Sequence, residues 1–529
     1  MQKLILTLTA LTYFAHHAHS QVVTKPEPYR PRYHFTPPKN WINDPNGLIY
    51  HAGEYHLFYQ YNPFGNEWGH MSWGHAVAKD LLTWQHLPLA IPEFTHADGK
   101  TKTAIFSGSA VMDQGNKSGL CPGGTKECMV AIYTGNVTEG DKQTAQYQNL
   151  AYSADNGRTW TQYAKNPVLD LQSKEFRDPN VFWYSPQQKW VMAAVKATEH
   201  RAVFFESKNL KDWKLLSYFG PQADTSRVWE CPALVSVPVL SESGQPGGEN
   251  KWVLFISAGH PQKGYLGMQY FVGNFDGTTF TVDKQNPKPV APAEGNRFAG
   301  AVVDWGKDYY AAIPFNDLPN RPRNAGPQKP VMIGWLNDWE YANKLPTTPF
   351  KGAMSVPREI SLQKTPEGYQ LVQTPVSLQA RRGKPTTKTN LNVTGTVSLD
   401  FSGESYELQT EIALGSAKKI GIQLLKSGDE TSTLTYDVAT STLYFDRTRS
   451  GNVAFSDRFP SVESMVVKPQ NGVLKLHLLV DASIVEIFAN GGQQVMTDLV
   501  FPTKHEGRIE LVAEGGSAVF KTLTIWPIQ

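Results

Sequence analysis

DPNGLIYHAGEYHLFYQ, residues 44–60, shows most clearly the unit from which this chain is built. A polar start leads into an apolar strand, a turn at Ala52 and Gly53, and a second strand rich in aromatic residues. The same arrangement returns in DPNVFWYSPQQKWVMAAV, residues 178–195. Two copies of one strand–turn–strand unit indicate an architecture built from repeats.

The unit occurs five times along the chain. The other copies are SGSAVMD (107–113) with its partner CMVAIYT (128–134), CPALVSV (231–237) with KWVLFISA (251–258), and AVVDWGKDYYAAIPF (301–315). Most units continue into a further strand and a turn with Asp or Asn shortly before Trp or Phe, as in AKDLLTWQHL (78–87). Four strands in each of five units predict a five-bladed β-propeller, because a single blade cannot bury both of its faces. Two stacked sandwiches are the alternative, but they do not explain the regular recurrence.

The composition changes after Pro375. The segments that follow are short, alternate polar and apolar residues and contain few Trp, as in SYELQTEIAL (405–414) and LKLHLLVDASIVEIFA (474–489). This pattern predicts a separate antiparallel β-sandwich that packs on the propeller as a structural partner. We therefore expect an all-β chain divided into four parts: a signal peptide (1–20), a five-bladed propeller (21–362), a linker (363–375) and a sandwich (376–529).

The overall composition excludes several classes of partner. The 529 residues carry a formal net charge of +2, with both signs interspersed. No basic block suggests a nucleic acid, and no basic amphipathic stretch suggests a membrane surface. The oligomeric state stays open at this point.

The N-terminus has the pattern of a secretory signal peptide. Lys3 precedes an apolar run, and the small residues Ala18 and Ser20 stand where a cleavage site requires them. A membrane anchor is the alternative, but the run is too short to span the hydrocarbon. In an exported protein, Cys121 and Cys128 could form a small disulfide, which would leave Cys231 over.

Three carboxylates stand at the starts of predicted innermost strands, where a propeller brings its blades together around one end of a central channel. They are Asp44 in NWINDPNG, Asp178 in FRDPN and Glu230 in WECP, from blades one, three and four. A single Asp-Pro is a weak signal because turns use it often, but three matching starts are a stronger one.

Paired carboxylates suit glycoside hydrolysis. One ionised carboxylate attacks the anomeric carbon, and one carboxylic acid protonates the departing oxygen. We expect the apolar neighbours of Glu230, Trp229 and Cys231, to favour its protonated form. Arg177 should keep Asp178 ionised if the two side chains meet, but adjacent strand residues point to opposite faces.

These motifs resemble glycoside hydrolase family 32, the β-fructofuranosidases, and within it the microbial exo-inulinases and levanases. The resemblance is carried by NWINDPNG (40–47), FSGSA (106–110), FRDPN (176–180), WECP (229–232) and GWLNDWEYA (334–342), and it resumes in the sandwich at LYFDRTRSG (443–451) and VDASIVEIFANGG (480–492). It covers nearly the whole chain. It implies a retaining enzyme that releases terminal fructose from fructans and sucrose-type sugars.

The resemblance also implies roles for individual residues. Asp44 is implied as the nucleophile, Glu230 as the general acid and then base, and Asp178 as the stabiliser of the transition state. The positions that the family uses to line the fructose pocket are Asn43, Gln60, Trp68, Phe106, Ser107, Arg177 and Trp335. Neither a metal nor an organic cofactor is implied. The implied partner is a fructan or sucrose-type carbohydrate.

Several readings compete with this one. Ala233 follows WECP where several sucrose-cleaving plant relatives carry Asp, which favours fructan ends over a specialised invertase. A fructosyltransferase would use the same intermediate, an inverting pentosidase would share the scaffold, and a non-catalytic propeller would only bind sugar. Trp68 and Trp335 could instead pack blades, and Ser107 could simply cap a strand.

Overall fold

The computed structural model describes residues 27–225, 227–258, 267–287, 301–320 and 327–529. The predicted signal peptide, residues 1–20, lies outside these ranges. Within them no helix has the length and apolar character needed to cross a membrane. The described helices are four short 3-10 turns: Ser185–Gln187, Ala197–Glu199, Ala342–Lys344 and Gln379–Arg381.

Each of the first three blades contains four antiparallel strands, and blade two has two further short strands. Blade one consists of β1 (Asn40–His51), β2 (Glu54–Tyr61), β3 (Ser72–Ala78) and β4 (Trp84–Ile91). Blade two consists of β5 (Phe94–Thr95), β6 (Thr101–Gln114), β7 (Glu127–Glu139), β8 (Lys142–Ser153), β9 (Thr161–Gln162) and β10 (Leu169–Ser173). Blade three consists of β11 (Phe176–Tyr184), β12 (Lys189–Lys196), β13 (Arg201–Ser207) and β14 (Lys214–Phe219).

Blades four and five are joined into one sheet. Blade four consists of β15 (Trp229–Leu240), β16 (Pro246–Ala258), β17 (Gly267–Phe275), β18 (Phe280–Val282) and β19 (Ala301–Val302). Blade five consists of β20 (Tyr310–Pro314), β21 (Val331–Leu336), β23 (Ala353–Met354), β24 (Arg358–Thr365) and β25 (Gly368–Pro375). The remaining strand, β22 (Phe350–Lys351), pairs in parallel with β1.

The innermost strands close a ring. Strand β1 contacts β6 and β20, β11 contacts β6 and β15, and β15 contacts β20. Each innermost strand therefore has a neighbour on both sides, as a closed propeller requires. The prediction of a propeller followed by a sandwich is confirmed.

Two predicted boundaries were wrong. The fifth blade begins at Tyr310 instead of Ala301, because Ala301 and Val302 pair with β17 at the edge of blade four. Residues 363–375 are not a linker: they form the end of β24 and the whole of β25, a hairpin that completes blade five. Strand β24 is the third strand of the blade, after β20 and β21, and β25 is its outer partner and the fourth strand.

The sandwich is one ten-stranded antiparallel sheet system around a second apolar core. Its strands are β26 (Thr386–Ser402), β27 (Ser405–Ala413), β28 (Lys419–Ser427), β29 (Glu430–Asp437), β30 (Thr442–Arg449), β31 (Val462–Val466), β32 (Val473–Asp481), β33 (Ile484–Ala489), β34 (Gln494–Leu499) and β35 (Arg508–Pro527). Strand β35 pairs with β26, β27 and β28, so the C-terminus is held at the centre of the sandwich.

A buried group of charges joins the two domains, and we call it the interface cluster: Arg358, Asp304, Glu486, His34 and Asp481. Arg358 donates to Glu486 Oε2 at 2.5 Å and to Asp304 Oδ2 at 2.9 Å. His34 lies between Asp481 Oδ2, at 2.9 Å, and Glu486 Oε1, at 2.8 Å. Because removing one partner would leave a buried charge uncompensated, the cluster fixes how the domains dock.

Candidate active site

All five innermost strands carry a β-bulge near their first residues. The register shifts lie between Ile42 and Pro45, Ile105 and Gly108, Arg177 and Asn180, Glu230 and Ala233, and Tyr310 and Ile313. A bulge interrupts strict alternation and re-aims the side chains beside it. The five bulges surround one end of the central channel, and the three predicted carboxylates lie at three of them.

Asp44 is held by neutral donors. The Ser107 hydroxyl donates to its Oδ2 at 2.6 Å, and the Asn43 amide donates to its Oδ1 at 3.2 Å. Burial raises the pKa of Asp44, the Ser107 hydrogen bond lowers it, and the charge of Glu230 raises it. No cation contacts this carboxylate among the described residues, so it stays oriented but uncompensated by a counter-ion.

Asp178 occupies a strained and buried position. Its φ of 62° lies in the left-handed region, and its amide donates to the Thr134 hydroxyl at 2.9 Å. Its Oδ2 accepts from the Cys231 amide at 2.9 Å. Burial raises the pKa of Asp178 to about 7, although Arg177 lowers it. The Nε of Arg177 lies 3.9 Å from Asp178 Oδ2, so the two side chains do meet, but burial and the neighbouring carboxylates outweigh the effect of the guanidinium on this pKa.

Glu230 has polar neighbours instead of the apolar ones that were expected. Its Oε1 lies 3.2 Å from Arg177 Nη2, and its Oε2 accepts from the Tyr310 hydroxyl at 2.5 Å. Trp229 packs instead with Phe219 and Phe271 between blades. The reason is strand alternation, which sends adjacent side chains to opposite faces.

Cys231 lies between two of the carboxylates. Its Sγ is 3.5 Å from Asp44 Oδ2 and 3.8 Å from Asp178 Oδ2. Burial raises the pKa of the thiol well above its usual value, and Asp44 raises it further. The thiol is therefore a neutral donor here. The other two cysteines, Cys121 and Cys128, form a disulfide, which was one of the two possibilities left open by the sequence.

A pocket of about 500 Å³ opens above the carboxylates. Six of the seven predicted binding residues line it, together with the three carboxylates: Asn43, Gln60, Trp68, Phe106, Ser107 and Arg177. Below it, the central channel holds a cavity of only about 10 Å³. The pocket therefore ends at the carboxylates.

The seventh predicted residue, Trp335, does not line the pocket. Its side chain is fully buried against Trp41 and Trp339. Trp339, four residues later, reaches the pocket wall instead. Trp335 lies within β21, where alternation turns it into the blade, whereas Trp339 follows the end of that strand and is free to face the mouth.

Sequence reasoning missed several residues of the pocket. They are Asn136, Gln143, Gln146, Glu175, Thr198, Val228, Tyr310, Trp339 and Asn343. Tyr310 could have been found, because it opens the innermost strand of blade five just as the carboxylates open theirs. Glu175, which contacts Arg177 Nη1 at 2.6 Å, and Gln146 carry no comparable signal.

The arrangement provides two carboxylates with different surroundings around one small pocket. Asp44 receives hydrogen bonds from uncharged groups, whereas Glu230 contacts Arg177 and Tyr310. Such a pair can attack an anomeric carbon from one side and donate a proton to the departing oxygen. Among the described residues, no group of three or more His, Cys, Asp or Glu side chains is arranged to hold a metal ion.

Comparisons with known proteins agree with this geometry. The model of the glycosyl hydrolases family 32 N-terminal domain matches residues 34–375, and that of the family 32 C-terminal domain matches residues 377–527. The chain is 44% identical over 513 residues to a levanase of Bacillus subtilis (strain 168), covering 95% of this chain and 71% of the levanase. It is 38% identical over 545 residues to an extracellular exo-inulinase of Aspergillus awamori, covering 94% of this chain and 96% of that protein.

Solved structures show the same likeness. The crystal structure of the exo-inulinase from Aspergillus awamori superposes with a TM-score of 0.84 at 37% identity, covering 95% of this chain and 99% of that one. A fructofuranosidase from Schwanniomyces occidentalis complexed with fructosylnystose superposes with a TM-score of 0.82 at 29% identity, covering 95% of this chain and 98% of that one.

Proposed function

The chain belongs to glycosyl hydrolase family 32, and from that premise we propose that it releases terminal fructose from fructans and sucrose-type sugars. It is a glycosidase, as its relatives the levanase, the exo-inulinase and an invertase of Saccharomyces cerevisiae are. The observation that supports the proposal most strongly is that Asp44 and Glu230 line one pocket of about 500 Å³.

In the proposed mechanism Asp44 is the nucleophile. Its Oδ2 accepts from Ser107 and its Oδ1 from Asn43, and these two bonds fix the plane of the carboxylate. A carboxylate without a cationic partner keeps its negative charge available for the anomeric carbon. Attack would give a covalent fructosyl-enzyme, with retention after the second displacement.

Glu230 is the proposed acid and base. It protonates the departing oxygen in the first step and activates water in the second. Arg177 and Tyr310 each donate to one of its oxygens, so its carboxyl plane is fixed before substrate arrives. Both donors also hold the carboxyl in one position through the two steps, so the same group can give a proton to the departing oxygen and take one from water.

Asp178 is the proposed stabiliser of the transition state. Arg177 contacts Asp178 and Glu230 but not Asp44, so the three carboxylates outnumber the guanidinium beside them. Burial, together with the charges of Glu230 and Asp44, raises the pKa of Asp178 to about 7, so the carboxylates repel one another. The positive charge that develops on the sugar would relieve this repulsion, and the carboxylates would stabilise it most at the transition state.

The pocket favours removal of a terminal unit over cleavage within a chain. It ends at the carboxylates, above a channel cavity of about 10 Å³, so a sugar chain has only the mouth by which to leave. Trp68, Phe106 and Trp339 form the wall toward that mouth. Ala233 is fully buried and does not face the pocket, so it offers no hydrogen bond to a leaving glucose.

We also propose that the protein is exported. The N-terminal pattern is that of a signal peptide cleaved before Gln21, and the exo-inulinase relatives are extracellular. The disulfide between Cys121 and Cys128 fits an oxidising compartment.

The test is a product analysis with purified protein on sucrose, inulin and levan, in which NMR follows the first anomer formed. Fructose alone from a polymer, first in the β configuration, would support an exo-acting retaining hydrolase. Short oligosaccharides as first products would refute exo action, and inverted fructose would refute the covalent intermediate.

The same assay at high sucrose concentration separates hydrolysis from transfer. Growth of fructosylated oligosaccharides in excess of free fructose would identify a transferase. Failure of all three substrates, with the protein still folded, would favour a propeller that binds sugar without cleaving it.

A further inference from the structure

The loop between β2 and β3, residues 62–71, forms one side of the pocket mouth, and we call it the rim loop. Asn62 organises its first turn: its Oδ1 accepts from the amides of Phe64, at 2.9 Å, and Gly65, at 3.1 Å. Its Nδ2 donates to the Glu67 carbonyl at 2.8 Å. These bonds replace the strand ladder that the loop lacks.

The rim loop is also tied to its surroundings. The Trp41 amide donates to the Gly65 carbonyl at 3.1 Å. Across the mouth, the Trp68 amide donates to Asn343 Oδ1 at 3.0 Å. The loop is therefore held at several points, and the orientation of its side chains follows from a defined backbone.

Two of the most exposed aromatic side chains in the described residues stand on this one loop. The Phe64 side chain is 74% exposed and that of Trp68 is 46% exposed. A single exposed aromatic residue needs no explanation, but here two stand on one hydrogen-bonded loop beside a pocket. Trp68 already lines the pocket and contacts Phe106 and Trp339 edge-on. Phe64 stands four residues before Trp68 on the same loop and does not line the pocket.

Polar side chains lie beside Phe64. The His70 ring meets it edge-to-face, with centroids 5.2 Å apart, and His70 Nδ1 lies 2.6 Å from Glu93 Oε1. A sugar ring has one face of C–H groups and a border of hydroxyls. An exposed aromatic face beside hydrogen-bonding groups is the surface that such a ring requires.

We propose that Phe64, with His70 beside it, binds the second sugar unit on the leaving side of the scissile bond. The inference rests on the proposed function, since it takes the pocket to hold the terminal fructose. The first leaving unit would then lie against Trp68, and the next unit would meet Phe64. Phe64 is thereby a specificity-determining residue for chains of three or more units.

The test compares Phe64→Ala with the wild type on sucrose, which has one leaving unit, and on the trisaccharide 1-kestose, which has two. We expect the ratio of kcat/KM on 1-kestose to that on sucrose to fall about three- to tenfold, mainly through KM. Phe64→Tyr keeps the ring and is expected to restore the ratio, whereas Phe64→Leu is not.

Tyr218→Ala is the matched control, because Tyr218 is 46% exposed on blade three and does not line the pocket. It is expected to leave the ratio unchanged. Equal losses on both sugars in Phe64→Ala, or an unchanged ratio, would overturn the proposal. Failure of the proposed function would look different, since the wild type itself would then cleave neither sugar.

Discussion

The catalytic pocket and the interface cluster contain the same kinds of charged residue but differ in how those charges are compensated. In the interface cluster, Arg358 and His34 face carboxylates at close range, and the pKa of Glu486 falls to about 2 because Arg358 and His34 outweigh the effect of burial. In the pocket, Arg177 contacts Asp178 and Glu230 but not Asp44, and burial raises the pKa of Asp178 to about 7. The compensated charges of the interface cluster join the two domains, whereas the uncompensated carboxylates of the pocket are available for a reaction.

Adjacent residues connect the two regions. Tyr310 donates to Glu230 in the pocket, whereas the ring of Tyr309 covers the Arg358 guanidinium at 4.1 Å in the interface cluster. Strand alternation sends these neighbours to opposite sides, so the start of blade five serves both regions. The comparison can therefore be tested with substitutions one residue apart.

The largest expected effect is that of Asp44→Asn. It removes the proposed nucleophile and should lower kcat on sucrose by at least about 10⁴-fold. Because it also removes one of the excess carboxylates, we expect the melting temperature to stay the same or rise. Steady-state kinetics and thermal unfolding of the same preparation measure both. A melting temperature several degrees lower would mean that the charge of Asp44 is compensated in the folded protein. The contrast between the pocket and the interface cluster would then be refuted.

The substitution Arg358→Met should instead lower the free energy of unfolding. It removes the guanidinium that Glu486 and Asp304 share, and we expect a loss of about 3–5 kcal/mol in the free energy of unfolding, measured in urea. Lys475→Met is the control, because it breaks an exposed ion pair with Glu411 and should cost no more than about 1 kcal/mol. Equal losses in the two variants would show that the interface cluster contributes no more than a surface pair.

The interface cluster should also weaken at alkaline pH. Asp481 and Glu486 raise the pKa of His34 to about 9 against the burial that lowers it, so its stabilisation is complete below pH 6.5 and is lost as pH rises through 9. The difference corresponds to roughly 3 kcal/mol. We expect unfolding free energies measured between pH 6 and 10 to fall in the wild type and to stay flatter in His34→Gln.

A second buried histidine provides the control for that experiment. Burial lowers the pKa of His56 to about 4, so this side chain is already neutral above pH 6.5. His56→Gln should therefore retain the alkaline loss of stability. If His34→Gln lost stability at alkaline pH as steeply as the wild type does, the slope would have to come from other groups.

The smallest expected effect is that of Tyr310→Phe. It removes a donor to a charged acceptor and should lower kcat/KM about tenfold. Because the lost bond helps to fix the plane of the Glu230 carboxyl, the loss should appear in kcat more than in KM. Tyr309→Phe removes a buried hydroxyl that has no hydrogen-bond partner among the described residues, and it should leave both constants in place. A rise in KM with an unchanged kcat would contradict the positioning role of Tyr310.

The contrast between the two regions also separates what the sequence could predict from what it could not. The positions of the three carboxylates followed from the repeat, because each opens the innermost strand of its blade. The interface cluster gave no such signal, since Arg358 and Glu486 lie 128 positions apart in the chain. Nothing local distinguishes a buried Arg in a β-strand from an exposed one.

The neighbours of each site residue were harder to predict than the residues themselves. The apolar surroundings expected for Glu230 were wrong because Trp229 points away from it and Tyr310, from another blade, points toward it. Trp335 and Trp339 fall in one motif, yet only the second lines the pocket. In both cases two residues near each other in the chain face different sides.

The propeller, the sandwich and the positions of the three carboxylates could be predicted from the sequence, because strand periodicity and repetition are local patterns that can be read along one chain. Tertiary structure decided the aim of each side chain, the pairing of residues 363–375 with blade five, and the balance of charge in each buried group. The physical reason is that β-bulges break local alternation, while burial and Coulomb interactions depend on groups that only folding brings within a few ångströms.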